Sequence, residues 1–200
     1  MRARVAMVLG LGLLSMATAQ AEEWQLAKDE AGIRVYLKTV PGSAYKAFRG
    51  VATITADIKG LRALQDDVQG SCTWIHECRE QRLIMHQGSE SWTYTVFNTP
   101  WPVTPRDSVL RVTTVEEADG GLTRILEGVP DYLPEGKGFV RVSKVQGIWK
   151  LTPKGDAAVE VLYEVHSEPG GSVPSWLANS FVVDAPYNTL QALRTLAEKP

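Results

Sequence analysis

Apolar and polar positions alternate at period two through most of this chain and change to a helical period near its C-terminus. The clearest strand runs over residues 157–166, where Val159, Val161, Tyr163 and Val165 share one face and Glu160 and Glu164 the other. One dry and one wet face is the pattern of an antiparallel strand covered on a single side. Similar runs bounded by turn residues predict strands over residues 33–38, 45–55, 81–85, 91–97, 108–116, 122–129 and 139–151. Pro41-Gly42-Ser43, Asp119-Gly120-Gly121 and Lys154-Gly155-Asp156 supply the turns, and residues 130–138, with two prolines and two glycines, read as a loop. A short helix is expected over residues 57–68, capped by Asp57, with Leu61, Leu64 and Val68 at helical spacing. Trp92, Tyr94 and Val96 share one face of their strand and are expected in the core.

Pro169-Gly170-Gly171 must end the last strand, because proline cannot donate to a ladder. Ser172 then suits a helix cap and Pro174 the first turn. Trp176, Ser180, Val183, Tyr187 and Leu190 form one helical stripe, which Leu177 and Phe181 widen. Asp184-Ala185-Pro186 interrupts this pattern: either the helix kinks, as a hinge or as a static bend, or Asp184 caps a restarted helix. Strands followed by a few helices on one face place the chain in the α+β class.

Four segments, in order along residues 24–197, resemble START domains (steroidogenic acute regulatory protein-related lipid transfer). They are the opening segment Trp24 to Tyr36, the Pro100-Trp101-Pro102-Val103-Thr104-Pro105-Arg106-Asp107 loop, the strand Gly147 to Pro153, and the approach to the C-terminal helix, Pro169 to Asn179. The resemblance implies a helix-grip fold, a curved antiparallel sheet wrapped around a long C-terminal helix and enclosing an apolar cavity. It also implies one lipid-binding domain over residues 22–200, with ligand admitted between the 98–106 loop and the C-terminal helix. On that reading Trp92, Tyr94, Trp149, Tyr163, Trp176, Leu177 and Phe181 line the cavity or its gate, with Trp101 and Pro102 at the gate's tip. Trp101 has the alternative of packing back onto the sheet. Arg106 and Asp107 are expected to be structural, with Asp107 tying the loop. Alternation leaves Arg111 undecided between the two faces; pointing inward, it would be the partner for a phosphate or carboxylate headgroup.

The N-terminus narrows the setting. Arg2 and Arg4, an apolar run over residues 5–16 and Ala19-Gln20-Ala21 form an export signal, with cleavage expected after Ala21. Cutting 21 residues from 200 leaves 179, enough for one domain with a sizeable core. Losing both arginines takes the formal charge from −2 to −4, which argues against nucleic acid as a partner. In an exported protein Cys72 and Cys78 are expected to form a disulfide; a metal pair with His76 and reduced thiols are the alternatives. His76, His86 and His166 form no catalytic or metal-binding motif, and neither a G-x-S-x-G elbow nor a P-loop is present. The expectation is therefore a monomeric, periplasmic or secreted lipid-binding and transfer protein without cofactor or metal, in transient contact with membranes. A cyclase- or hydrolase-like enzyme on the same scaffold and an envelope sensor or interaction module are the alternatives.

Overall fold

Tight turns between alternating strands leave antiparallel pairing as the ready way to satisfy the backbone. In a computed structural model, which describes residues 23–199, the strands join one ten-stranded curved sheet. The predicted leader, residues 1–21, lies outside the described residues. The strands are β1 (Gln25–Glu30), β2 (Ile33–Lys38), β3 (Ala47–Ile54), β4 (Cys78–Gln87), β5 (Glu90–Phe97), β6 (Arg106–Glu116), β7 (Leu122–Gly128), β8 (Val140–Arg141), β9 (Lys144–Pro153) and β10 (Val159–Glu168). Their order is β1-β2-β3-β10-β9-β7-β6-β5-β4, antiparallel along the whole path, with β8 lying parallel beside the start of β6. The N-terminal strands thus return to pair with the last one, Val161 opposite Ala52.

Helix α1 (Ile58–Asp66) begins where Asp57 accepts a hydrogen bond from the Gly60 N–H at 2.7 Å, and its Leu61 is fully buried. The predicted single C-terminal helix is two: α2 (Ser175–Phe181) and α3 (Asp184–Ala197), separated by Val182 and Val183. Pro186 falls in the first turn of α3, where no backbone N–H is required, and Asp184 sits where the helix dipole favours an anion. Val183, not Asp184, takes the cap position, and Ser172 caps nothing, since Pro174 precedes α2. The break interrupts the predicted stripe. Tyr187, Leu190 and Leu193 are buried in the core with Ile33, Val35, Ile54 and Val161, whereas Trp176 and Ser180 stay exposed.

The predicted strand over residues 139–151 is also divided, and a buried ion pair is the reason. Asp107, 0% exposed, accepts from Arg141 Nε at 2.8 Å and Nη2 at 2.9 Å, from the Tyr94 hydroxyl at 3.1 Å and from the Gly136 N–H at 3.1 Å. Arg141 donates onward to the carbonyls of Pro130, Leu133 and Pro134. The 130–139 loop is thereby strapped over the outer face of β5 and β6, where Leu133 and Phe139 pack with Tyr94, Val96 and Val109 into a second small core. Burial alone would raise the Asp107 carboxyl, but the bonds from Arg141, Gly136 and Tyr94 and the arginine's charge hold it below its ordinary value. Asp107 does tie a loop, as expected of it, although the loop is 130–139 and not 98–106.

Cys72 and Cys78 are joined in a disulfide that links a 3₁₀ turn (Gly70–Thr73) to the start of β4. This bond replaces the metal and free-thiol alternatives. The His76 N–H donates to Thr189 Oγ1 at 3.0 Å, tying the same segment to α3.

Two outcomes follow. Asp107→Asn leaves the Arg141 charge buried without its counter-ion and should lower the unfolding free energy by about 3–5 kcal/mol in urea titrations. Because the folded pKa lies below the unfolded one, the wild-type advantage is present above about pH 4 and disappears as the carboxyl protonates in acid. Gly50 lies where α3 crosses β3: a Cβ there would stand 2.7 Å from Leu190 Cδ1 and 3.2 Å from Pro186 Cβ. Gly50→Val should therefore cost about 1–3 kcal/mol by forcing α3 away from the sheet.

Candidate functional site

Helix α3 packs on β2 and β3, while Val112 of β6 and Leu122 and Leu126 of β7 join the main core without filling the hollow of the sheet. The space above them is a cavity in two adjoining chambers of about 610 and 620 Å³, both walled by Ile75, Phe97, Leu110, Leu126 and Tyr163. Each is of the size that holds a small organic ligand.

The first chamber is apolar. Phe48, Val145 and Val165 line its sheet side, Leu177 and Phe181 of α2 its roof, and Pro100 and Val103 its rim. Hydrogen bonds hold the roof at both ends. Arg106, itself buried, donates to the carbonyls of Thr104, Pro169 and Gly170, which joins the rim loop to the approach of α2. Desolvation lowers the Arg106 pKa from its ordinary value. On the other side, the Tyr45 hydroxyl donates to the Val173 carbonyl at 3.0 Å, and the Asn179 amide bonds to Lys46 N and Ala44 O. Trp101 stands at the tip of the rim loop, 93% exposed, and Trp176 begins α2, 73% exposed. The alternative of Trp101 packing onto the sheet is thus overturned. Pro102 is exposed beside it.

The second chamber lies at the other end of β5 and β6 and is more polar. Ser91, Thr93 and Thr95 of β5 and Gln81 of β4 line it, together with Leu110, Val112 and Thr114 of β6. Gln81 donates to Thr95 Oγ1 at 2.9 Å, and the Ser71 hydroxyl lies between Gln81 Oε1 and the Val68 carbonyl. Arg62, Gln65 and Asp66 of α1, with Glu116 and Arg124, close the end. A row of aromatics crosses the wall: Trp74 meets Trp149 edge-on, Trp149 stacks on Tyr163 at 3.8 Å, and Tyr163 meets Phe48 edge-on at 5.1 Å. Burial pushes the Tyr163 hydroxyl well above its ordinary pKa, so it stays neutral.

Trp149, Tyr163, Leu177 and Phe181 therefore lie on cavity walls, while Trp92, Tyr94, Arg111 and Trp176 do not. Trp92 and Tyr94 are on the outer face of β5; Trp92 stacks on Tyr132 at 5.9 Å, and Tyr94 bonds Asp107. Arg111 is on the same outer face, paired with Glu127 and 3.8 Å from Glu90, which removes it as a headgroup partner. Trp176 flanks the apolar chamber without lining it. Among the lining residues missed by sequence reasoning are Ser91, Thr93 and Thr95. Their signal was the same period-two alternation, assigned to the opposite face because the aromatic set looked more core-like.

The START domain family matches residues 9–195 of the chain. An uncharacterized protein of Pseudomonas aeruginosa is 56% identical over 193 residues, covering 96% of each chain. The crystal structure of a STAR-related lipid transfer protein from Xanthomonas axonopodis is 40% identical, with a TM-score of 0.82 over 88% of this chain and 99% of that one. Human StAR-related lipid transfer protein 5 superposes with a TM-score of 0.80 at 16% identity, over 88% and 86% of the two chains. An aromatase/cyclase from Streptomyces sp. R1128 shares the fold alone, at 10% identity and a TM-score of 0.55 over 76% of this chain and 93% of that one. With a curved sheet hollow beneath its C-terminal helices and a family match along nearly its whole length, the chain belongs to the START domain family.

Proposed function

We propose that this protein carries a lipid or another hydrophobic small molecule between membranes in the periplasm or outside the cell. It works as a monomer that touches the bilayer transiently, and its export follows from the leader read at residues 1–21. The observation that carries this reading is an apolar chamber of about 610 Å³ whose roof and rim present Trp176 and Trp101 to the outside. Tryptophan favours the membrane interface, where its apolar body and polar edge are both accommodated. A buried acyl chain of some sixteen carbons represents on the order of 10 kcal/mol of transfer free energy, so release into water is slow and delivery needs bilayer contact. The roof is a seven-residue helix with no buried residue, held at its ends by hydrogen bonds; it is the part of the wall that opens at least cost.

Trp101→Ala and Trp176→Ala should each slow lipid transfer between vesicles severalfold. Their unfolding free energies should stay within about 0.5 kcal/mol of wild type, as expected of exposed positions. Native mass spectrometry of protein purified from its own compartment should show one bound lipid per chain. Unchanged transfer rates in the double variant would sink the gate, and a protein that neither retains nor takes up lipid would sink the carrier.

A further inference from the structure

The disulfide closes a loop that is itself cavity wall. Between Cys72 and Cys78, Trp74 and Ile75 line the polar chamber and Ile75, His76 and Glu77 the apolar one, so Ile75 stands where the two meet. Trp74 is buried edge-on against Trp149, and Cys78 lies opposite Phe97, a second residue of the shared wall. The closed loop holds Glu77 at φ +56°, a left-handed angle that costs free energy for any residue with a Cβ. Ala31 is the other non-glycine residue with positive φ among the described residues, and it sits with Gly32 in the turn between β1 and β2, where a tight hairpin requires that angle. No hairpin requires it of Glu77. The nearby hydrogen bonds, from the Asn98 N–H to the Glu77 carbonyl at 2.8 Å and from the His76 N–H to Thr189 Oγ1 at 3.0 Å, can each be exchanged for one with water at small net cost. The covalent bond cannot, and it is what keeps the strained residue in place. Both cysteines are half-buried, within reach of a small thiol.

We infer that the Cys72–Cys78 bond is a redox switch on ligand binding: closed, it holds Ile75 at the waist of the cavity, and opened, it lets Glu77 relax and the waist deform. The inference rests on the carrier reading and adds a means of regulation to it. The opening step is exchange with a dithiol. One thiolate of the reductant attacks a cysteine sulfur, and a mixed disulfide forms as the protein's S–S bond breaks. The reductant's second thiolate then displaces that cysteine and leaves as a cyclic disulfide, so two electrons pass to the protein and each cysteine takes up a proton. Glu77 turns to negative φ, and the binding-competent wall becomes a minor population. Ligand is held firmly only where the bond stays closed, as it does in oxidising compartments outside the cytoplasm.

Titration of the oxidised and the dithiothreitol-reduced mature protein with a pyrenyl alkane, read from pyrene fluorescence, tests this. Reduction should weaken binding about tenfold, the population shift that the strain of one left-handed residue produces. The Cys72→Ser/Cys78→Ser variant should match the reduced protein. Adding Glu77→Gly to that variant should restore affinity to within about twofold of the oxidised wild type, because glycine adopts positive φ without strain and needs no bond to hold it there. A bond that serves stability alone would not be replaced in this way. Equal affinity before and after reduction, or a triple variant no better than the double, would overturn the inference and leave the carrier reading standing. Reduction that unfolds the protein, with no recovery of fold and binding in the triple variant, would overturn it as well. Oxidised wild-type protein that takes up no alkane would bring down the carrier reading and this inference together.

Discussion

A carboxylate and a guanidinium buried side by side on the outside of β6 settle how the second half of the sheet can be used. Asp107 and Arg141 are costly to desolvate singly, and each is kept charged by the other and by the surrounding hydroxyl, amide and carbonyl groups. Their network draws residues 130–139 across β5 and β6 and gives Tyr94, Val96 and Val109 an apolar cover. With the outer face packed in this way, the inner face of the same strands need not be filled. A sheet with only one dry face would have to close over it.

The other half of the sheet is stabilised differently. There α3 lies directly on β2 and β3, close enough at Gly50 that no side chain fits, and Leu190 and Leu193 enter the main core. The same helical segment is free of the sheet one break earlier, where α2 spans the cavity. Val182 and Val183 therefore separate a helix packed on the sheet from one that roofs the cavity. Proline at residue 186 makes the division inexpensive, because a new first turn needs no donor at that position. Core packing holds the chain on one side of the break, and hydrogen bonds hold the roof on the other.

Inside the cavity the chemistry grades from hydrocarbon to neutral hydrogen-bonding groups, with Tyr163 on the wall between. Stacking on Trp149 holds its ring, and burial holds its hydroxyl neutral. The charges at the far end are paired with one another.

Alternation and turn chemistry in the sequence determined the antiparallel strands, the α1 cap at Asp57 and the α+β class, because these depend on neighbours a few residues apart. The START motifs likewise pointed to the hollow sheet. Which side of each strand looks inward was decided only by tertiary structure. Period two says that Trp92 and Tyr94 share a face and that Ser91, Thr93 and Thr95 share the other, but both faces are covered, one by a loop and one by a cavity. Arg111 went outward with Trp92 because it pairs across the ladder with that residue and with Glu127. The division of 139–151 arose from Arg141 reaching Asp107, 34 residues away in sequence. The reach of Arg124 on β7 to Gln65 on α1 is of the same kind, a contact that no local pattern encodes, since it exists only once the sheet has brought the two together.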